Sequence, residues 1–541
     1  MKKNRMMGSV AAMLLLTTTV LSACGGANEG ASNGNPKSTV SRTSTSASTD
    51  TVTENENLKV ALWGIQDAFN TAGASDDTIF NNLQQKLNVT IEPVQITWND
   101  WLEKLKVWAA SSQLPDIFPN DLAGNLALYR TWAKQGIIKP LPDDLSPYPN
   151  IQKIMDEPSL QSFKLDGKYY MIPRMTYPSS SDWVMDRAIS YRKDWAEQAG
   201  YTSSPKSFDE LVAMIKAVQA QHPGVTGISL TNKPYLLTAF LGSFPEASNE
   251  KSWIKEDGKW IPAFASTRMY EGIEHLRTLY QEGLLDKDIA IQKDSDGTMK
   301  FVNGQSFMLF GQLIPTNIEP FVKANPDVKF EEAYGFMDWY PATDGQLYTF
   351  AETPFWSEIY FSNQMSDAKF DRALKLIDYM IGDEYTALVR NGIEGTDYKV
   401  ENGKSVSLLP DGQTLTDKYP VTIGLGTLGS WYGGFLYSGK HVVNSNPDYA
   451  AYDQMLIDKF NDLKANAKPA PINFEVMTMS TPAKDKVATL RADAMNSLFK
   501  VVMGKDDPLE MWKKEIKALD AKGLQEAIEE TTKAAVELGI E

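Results

Sequence analysis

The stretch Asp166–Trp195, DGKYYMIPRMTYPSSSDWVMDRAISYRKDW, decides how the chain is organised. Asp166-Gly167-Lys168 reads as a tight turn, because Gly supplies the positive φ that closes it. Tyr169 to Ile172 alternates like a short strand, and Pro173 is expected to stop further ladder pairing. A loop rich in Ser, Pro and aromatics follows, then a helix start within Ser190 to Trp195. A strand that leaves one compact unit and enters another is an interdomain crossover. This one carries Arg174, Tyr177 and Trp183, groups of the kind that line a cleft between domains. An ordinary surface loop beside a core Trp would have the same composition, so the reading depends on what flanks it.

Upstream, Leu58–Trp63 reads as a first strand and Thr78–Leu87 as a helix with Ile79, Leu83 and Leu87 on one face. Val89–Ile96 alternates as a second strand, with Pro93 pointing to a bulge or an edge position. Asn99 or Asp100 can cap a helix in which Trp101, Leu105 and Trp108 recur at helical spacing. Leu114-Pro115-Asp116-Ile117-Phe118 turns into another strand. Strand, helix, strand, helix, strand implies a parallel sheet.

Downstream, Ser207-x-x-Glu210 is a capping-box signature, and the helix behind it buries Phe208, Leu211, Val212, Ile215 and Val218. Gly227–Leu230 is a strand. Met269, Ile273, Leu276 and Tyr280 mark a helix that ends at Gly283, and Phe370, Ala373, Leu374 and Ile377 mark another. Residues 395–480 carry weaker patterns and many Gly, so long loops are expected. Residues 483–538 are mostly helical, broken near Gly504 to Pro508 and at Gly523.

At 541 residues the chain exceeds what one hydrophobic core organises, so at least two domains are expected. The net charge of −16 argues against phosphate-backbone binding, and no Lys/Arg stripe offsets it; no nucleic-acid partner is expected. Three His (His222, His275, His441), far apart, and one Cys leave no zinc site and no Cys/His pair. The N-terminus has the three parts of an export signal: a basic head at Lys2, Lys3 and Arg5, a short apolar run from Val10 to Leu21, and Leu21-Ser22-Ala23-Cys24. That last motif resembles the bacterial lipobox, which makes Cys24 the expected lipidation site and residues 1–23 the signal peptide. Losing the three basic residues takes the net charge from −16 to −19. Residues 24–57, packed with Ser, Thr, Gly and Asn, are expected to be a lipidated flexible tether, since they cannot bury enough apolar area to offset ordering entropy. The body then sits outside the cytoplasmic membrane, anchored by acyl chains.

Several pieces together resemble the extracellular solute-binding proteins of ABC importers, family 1, and within it the large lipoprotein branch of Firmicutes with LplA-type and alginate-oligosaccharide-binding members. Besides the lipobox these are Trp98-x-x-Trp101-x-x-Lys104 running into Ala109-Ala110-Ser111-Ser112-x-Leu114-Pro115-Asp116-Ile117, then Gly136-Ile137-Ile138-Lys139-Pro140-Leu141 and Asp166 to Pro173. Tyr191-Arg192-Lys193-Asp194-Trp195 with Pro205 to Glu210, Phe301-x-Asn303-Gly304-x-x-x-Met308, and Gly392-Ile393-Glu394-Gly395-x-Asp397-Tyr398 complete the set. The resemblance implies a two-lobed α/β fold of the periplasmic-binding-protein type (type II), closing on a carbohydrate and delivering it to membrane permease subunits. It implies one lobe from residues 58–173 plus about 338–400, and another from about 174–337 plus 401–541. It implies a monomer, and no catalytic residues. Many members of the branch hold calcium in an acidic loop. Here the corresponding place reads His222-Pro223-Gly224-Val225-Thr226-Gly227, one hydroxyl and no carboxylate, so no calcium and no other cofactor is expected. Asp294-Ser295-Asp296-Gly297 lacks the Glu that completes an EF-hand loop and reads as a solvated turn.

A sugar offers apolar faces to aromatic rings and hydroxyls to carboxylates, amides and guanidinium groups. The loop aromatics Trp63, Trp183, Trp339, Tyr340, Trp356 and Trp431 are therefore the substrate-binding candidates, with Asp67, Asp116, Arg174 and Glu394 as polar partners. Glu358 is a weaker candidate, Asp194 is expected to pin its helix, and Trp101 and Trp108 to lie in the core. Burial inside a lobe is the competing role for each loop Trp. Two other functions stay open. A polysaccharide-degrading hydrolase needs only two suitably spaced carboxylates, although no G-x-S-x-G, HExxH or P-loop motif occurs. The same fold could also bind a peptide or other solute, or feed a membrane sensor.

Overall fold

The computed structural model describes residues 54–540 except 99, 122–125, 294, 314, 411–412 and 430–446. The expectations placed on Cys24, Asp294 and Trp431, and on most of the tether, lie outside the described residues.

Nine strands build the two main sheets: β1 (Glu56–Trp63), β2 (Val89–Ile96), β3 (Ile117–Asn120), β4 (Ile172–Met175), β5 (Ala188–Arg192), β6 (Thr226–Leu230), β7 (Ser306–Gly311), β8 (Tyr334–Met337) and β9 (Phe355–Phe361). The first sheet runs β2-β1-β3-β9-β4 and the second β8-β5-β7-β6. In the first sheet β1 pairs in parallel with β2 and β3, while β9 inserts antiparallel between β3 and β4. In the second, β6 and β7 are parallel and β5 and β8 run against their neighbours. One apolar core gathers residues between Leu58 and Ile172 with residues between Phe355 and Leu428. A second gathers residues between Ile189 and Tyr340 with Leu498 to Trp512. The segment Tyr419–Leu428 packs on the first sheet, although the sequence reading grouped everything past residue 400 with the second lobe. Its helix, Pro420–Gly429, is bound there by the buried Asp77, which accepts from Thr422 N at 2.7 Å and Thr422 Oγ1 at 2.6 Å.

Local chemistry accounts for most of the elements. Asp77 also caps helix Thr78–Leu87, accepting from Phe80 N. Pro93 is tolerated because β2 is the edge of its sheet, and its pairing with β1 continues without a bulge. Ser207 caps Phe208–Gln221 through Glu210 N at 3.2 Å. Three expectations change. The strand expected over Tyr169–Ile172 starts at Ile172 and runs through Pro173, which pairs opposite Glu358. It is an edge strand, so the missing N–H costs no ladder bond. Residues 188–192 form β5 before a helix begins at Lys193 (Lys193–Gln198), so Ser190 and Tyr191 lie in a sheet. Pro447–Asn466, expected as loop, is a 20-residue helix whose Tyr452, Leu456 and Leu463 complete a third core with Phe321, Phe330 and Tyr334.

The chain passes between the two cores at residues 176–187 and 341–354, and again between Leu428 and Leu498. At the first two crossings Tyr177, Trp183 and Phe350 form a small aromatic cluster against Trp356, and Trp183 Nε1 donates to the Thr353 carbonyl at 2.8 Å.

Candidate functional site

Strand direction decides which residues meet. In the first sheet β1, β2, β3 and β4 all point the same way and β9 points back. One rim therefore collects Trp63, Thr97 and Trp98, Asp121, and the start of β9 with Phe355 and Trp356. The carboxyl ends of parallel strands are where open α/β sheets bind ligands.

On this rim Trp63 and Trp98 stack, with ring centroids 4.7 Å apart and planes 5° from parallel. Trp101 meets Trp63 edge-on at 5.7 Å. Trp356 tilts against both rings, at 5.5 Å from Trp63 and 5.8 Å from Trp98. Trp63 is 9% exposed and Trp98 49%, so a half-exposed ring rests on a buried aromatic support. The Arg174 guanidinium lies 5.4 Å from the Trp63 ring. Arg174 is itself buried, donating from Nη1 to Ser357 Oγ at 2.7 Å and from Nε to the Thr427 carbonyl at 3.1 Å, which ties helix Pro420–Gly429 to the sheet.

A cavity of about 450 Å³ opens against this platform, lined by Trp63 and Trp98 together with Asp67, Gln95, Thr97 and Thr427. Gln95 Nε2 donates to Asp67 Oδ2 at 3.3 Å, and Gln95 Oε1 accepts from Gln66 N at 3.0 Å, so the amide is oriented. Asp67 is exposed. Two further cavities adjoin along Phe163, Thr353, Phe355, Thr478 and Met479. One, of about 630 Å³, runs between Arg130 and Phe163 of the first lobe and Phe474 and Met479 of the second. The other is narrow and polar, lined by Trp356, Glu358, Asp121, Lys251, Glu352 and Arg491, among others. Trp356 lines this polar cavity and also touches the tryptophan platform.

The charges between the lobes are paired. Arg130 Nη1 lies 3.4 Å from Asp485 Oδ2, and Lys251 Nζ 3.3 Å from Glu352 Oε2. Burial works to lower the Lys251 ammonium, but Glu352, Asp121 and Glu250 outweigh it and hold it above its ordinary range. Burial lowers Arg491, against the pull of Glu250, Asp121, Glu352 and Asp485. Lys484 Nζ donates to the carbonyls of Val476, Met477 and Met479 at 2.6, 2.8 and 2.5 Å, closing the end of helix Phe474–Thr478.

The matching rim of the second sheet is closed. Arg187 bridges Asp186 at 3.2 Å and Glu250 at 3.1 Å and lies between the rings of Tyr235 (4.8 Å) and Phe350 (4.7 Å). Gln312 Nε2 donates to Asp186. Burial raises the Asp186 carboxyl, with Arg187 opposing.

Of the sequence candidates, Trp63, Asp67 and Trp356 come together at the platform, with Arg174 beneath as a buried support. Trp183 is 4% exposed and belongs to the crossing cluster. Trp339 and Tyr340 are core residues, at 5% and 3% exposure, packed on Gly242 and Phe310. Asp116 precedes β3, at the opposite end of that strand from the rim. It accepts from Lys59 N at 2.7 Å and pairs with Lys369 at 2.6 Å. Glu394 is exposed in the turn bridged to Tyr398. Glu358 is fully buried and accepts from Tyr360 Oη at 2.9 Å, yet its side chain borders the polar cavity. Asp194 pins Arg192, accepting from Nε at 2.9 Å. Sequence reasoning missed Trp98, Gln95, Thr97, Asp121, Lys251, Glu352 and Arg491. For Trp98 a signal existed: it comes two residues past the end of β2, whose last residue Ile96 pairs with Trp63 at the end of β1, and parallel neighbours end side by side.

Comparison with known proteins agrees with this geometry. The model of the family described as bacterial extracellular solute-binding protein matches residues 78–392. The fructooligosaccharide ABC transporter substrate-binding protein FusA of Streptococcus pneumoniae serotype 4 is 28% identical over 242 residues, 40% of this chain and 44% of FusA. The polygalacturonan/rhamnogalacturonan-binding protein YtcQ of Bacillus subtilis is 21% identical over 407 residues, 71% of this chain and 78% of YtcQ. Among solved structures, alginate-binding protein AlgQ2 without calcium ion superposes with a TM-score of 0.66 at 18% identity, covering 89% of this chain and 98% of AlgQ2. These neighbours establish the two-domain periplasmic-binding-protein-like fold. With more than half of its 541 residues matched by the family model, the chain belongs to the bacterial extracellular solute-binding proteins.

Proposed function

We propose that the protein is a receptor that captures an oligosaccharide outside the cytoplasmic membrane and hands it to an ABC importer, with no bond made or broken. One observation carries the reading: a half-exposed Trp98 stacked on buried Trp63 faces a cavity that also offers Asp67, Gln95, Thr97 and Thr427. An aromatic face with oriented hydroxyl partners beside it is the chemistry of a pyranose or furanose ring. The adjoining cavities between the lobes give the site room for several sugar units. FusA and YtcQ, by name, bind fructooligosaccharide and polygalacturonan or rhamnogalacturonan.

The mechanism is closure about the crossings at 176–187 and 341–354. Ligand bridges platform and second lobe only when the lobes are shut, so it favours the shut state by that differential affinity. The interlobe pair Arg130–Asp485 and the Lys251–Glu352 pair would then set how far the shut state is populated without ligand. Cys24 would carry the acyl anchor that keeps the receptor near its permease. The 222–227 segment is assigned no calcium: His222 stacks on Trp195 at 4.2 Å, and the segment has no carboxylate to offer.

The test is calorimetric titration and thermal shift against an oligosaccharide panel. A ligand at ~100 times its Kd stabilises the folded state by about 2.7 kcal/mol, a visible rise in Tm. Shifts with oligosaccharides, unchanged ligand after incubation, and loss of the shift in Trp98→Ala support the proposal. Shifts only with peptides or other solutes, or product formation, overturn it.

A further inference from the structure

We infer that the site takes uncharged oligosaccharides and rejects uronate-bearing ones, and that Asp67 sets this sign at the tryptophan platform. The inference rests on the carbohydrate reading above and narrows it to a ligand class.

The argument is a count of charges available to a ligand among the described residues. The platform cavity has one charged side chain, Asp67, and it is acidic and exposed. The nearest guanidinium, Arg174, is buried below Trp63 and spends its donors on Ser357 and the Thr427 carbonyl. A uronic ring stacked on Trp98 would bring its carboxylate beside Asp67, and no cation among the described residues of this cavity answers it. A neutral ring in the same place offers hydroxyls, which an ionised carboxylate accepts well.

The adjoining cavities agree. Their cations are Arg130, Lys251, Lys484 and Arg491. Arg130 is engaged by Asp485, Lys251 by Glu352, and Lys484 by three carbonyls. Arg491 sits in the field of four carboxylates. The carboxylates lining the same two cavities are Asp121, Glu352, Glu358, Glu475 and Asp485, more than the cations. To bind a uronate, the cleft would have to break an existing ion pair and leave a buried carboxylate uncompensated, which is costly.

The experiment compares neutral oligosaccharides with uronic oligosaccharides of the same length on the full-length protein in detergent micelles, by calorimetric titration. The expected result is neutral binding at least about tenfold tighter, the factor that corresponds to ~1.4 kcal/mol of like-charge repulsion. Asp67→Asn is expected to narrow that gap from both sides, raising uronate affinity by removing the like charge and lowering neutral affinity by removing one acceptor oxygen. A second readout needs no variant. Raising ionic strength from about 0.01 to 1 M shortens the screening length from ~30 to ~3 Å, so uronate affinity should rise relative to neutral affinity. Tighter uronate binding, or a gap that neither salt nor Asp67→Asn changes, overturns the inference and leaves the carbohydrate receptor standing. Failure of both sugar classes, with another solute binding, overturns the carbohydrate reading itself.

Discussion

Trp63, Trp98 and Trp356 flank strand ends of the first sheet, and Trp339 and Tyr340 follow a strand end of the second. Trp63, Trp356, Trp339 and Tyr340 read alike in sequence, as loop aromatics, and Trp98 was not singled out among them. Trp63, Trp98 and Trp356 form a platform that stays open, with Trp98 49% exposed, while Trp339 and Tyr340 are shut into a core at 5% and 3%. The difference lies in what covers them. Over Trp339 and Tyr340 lies helical segment Lys233–Gly242, and Gly242 comes so close that a Cβ there would stand 2.3 Å from Tyr340 Cε2 and 2.5 Å from Trp339 Nε1. Over Trp98 lies a cavity of about 450 Å³. Rim aromatics are binding groups or core groups according to the next element that packs on them.

Four measurements break or sharpen this contrast. Trp339→Ala removes a buried ring and should cost ~3–5 kcal/mol of stability, read by chemical denaturation. If it is cheap and weakens ligand instead, the contrast fails. Gly242→Ala drives a methyl into the same two rings and should cost ~1–3 kcal/mol. Trp98→Ala should leave stability within ~1 kcal/mol and cost ligand affinity about tenfold or more, as expected for an aromatic anchor. A large loss of stability without loss of affinity would make Trp98 a packing residue.

The smallest expected effect is on pH dependence. His275 stacks on Phe208 at 3.8 Å and meets Tyr340 Oη at 3.0 Å. Burial holds its pKa below the ordinary 6.5, with Asp209 opposing. The unfolded chain therefore takes up the proton first, so this contribution to stability is full above about pH 6.5 and falls as pH drops through that value. The Tm of the wild type should decline faster than that of His275→Gln below that pH. Parallel declines would mean that the imidazole titrates alike in both states.

Legibility follows the range of the interaction. The parallel strands 58–63 and 89–96, the helix 78–87 and the Ser207 cap were readable because period and cap are local. Pro93 narrowed its strand to a bulge or an edge position, and the sheet order, with an unbroken register, made it the edge. The helix 447–466 was not, because its apolar face is completed by Phe321, Phe330 and Tyr334, more than a hundred residues away. The start of β4 was misjudged for a related reason: Pro173 stops a central strand, and only the sheet order makes β4 an edge.

The site divides in the same way. The sequence alone determined the alternation of strands and helices, the acidic charge, the lipobox-like N-terminus and the supply of loop aromatics, because each is a property of residue type and near-neighbour spacing. Which aromatics face a cavity was decided only in three dimensions. Parallel pairing of β1 and β2 brings Trp98 onto Trp63, residues 35 positions apart, and strand direction sends Asp116 to the far end of β3 while Asp121, just past its other end, reaches the cleft. Stacking and burial act over a few ångströms in space without regard to distance along the chain, so the fold, and not the pattern, chose the platform.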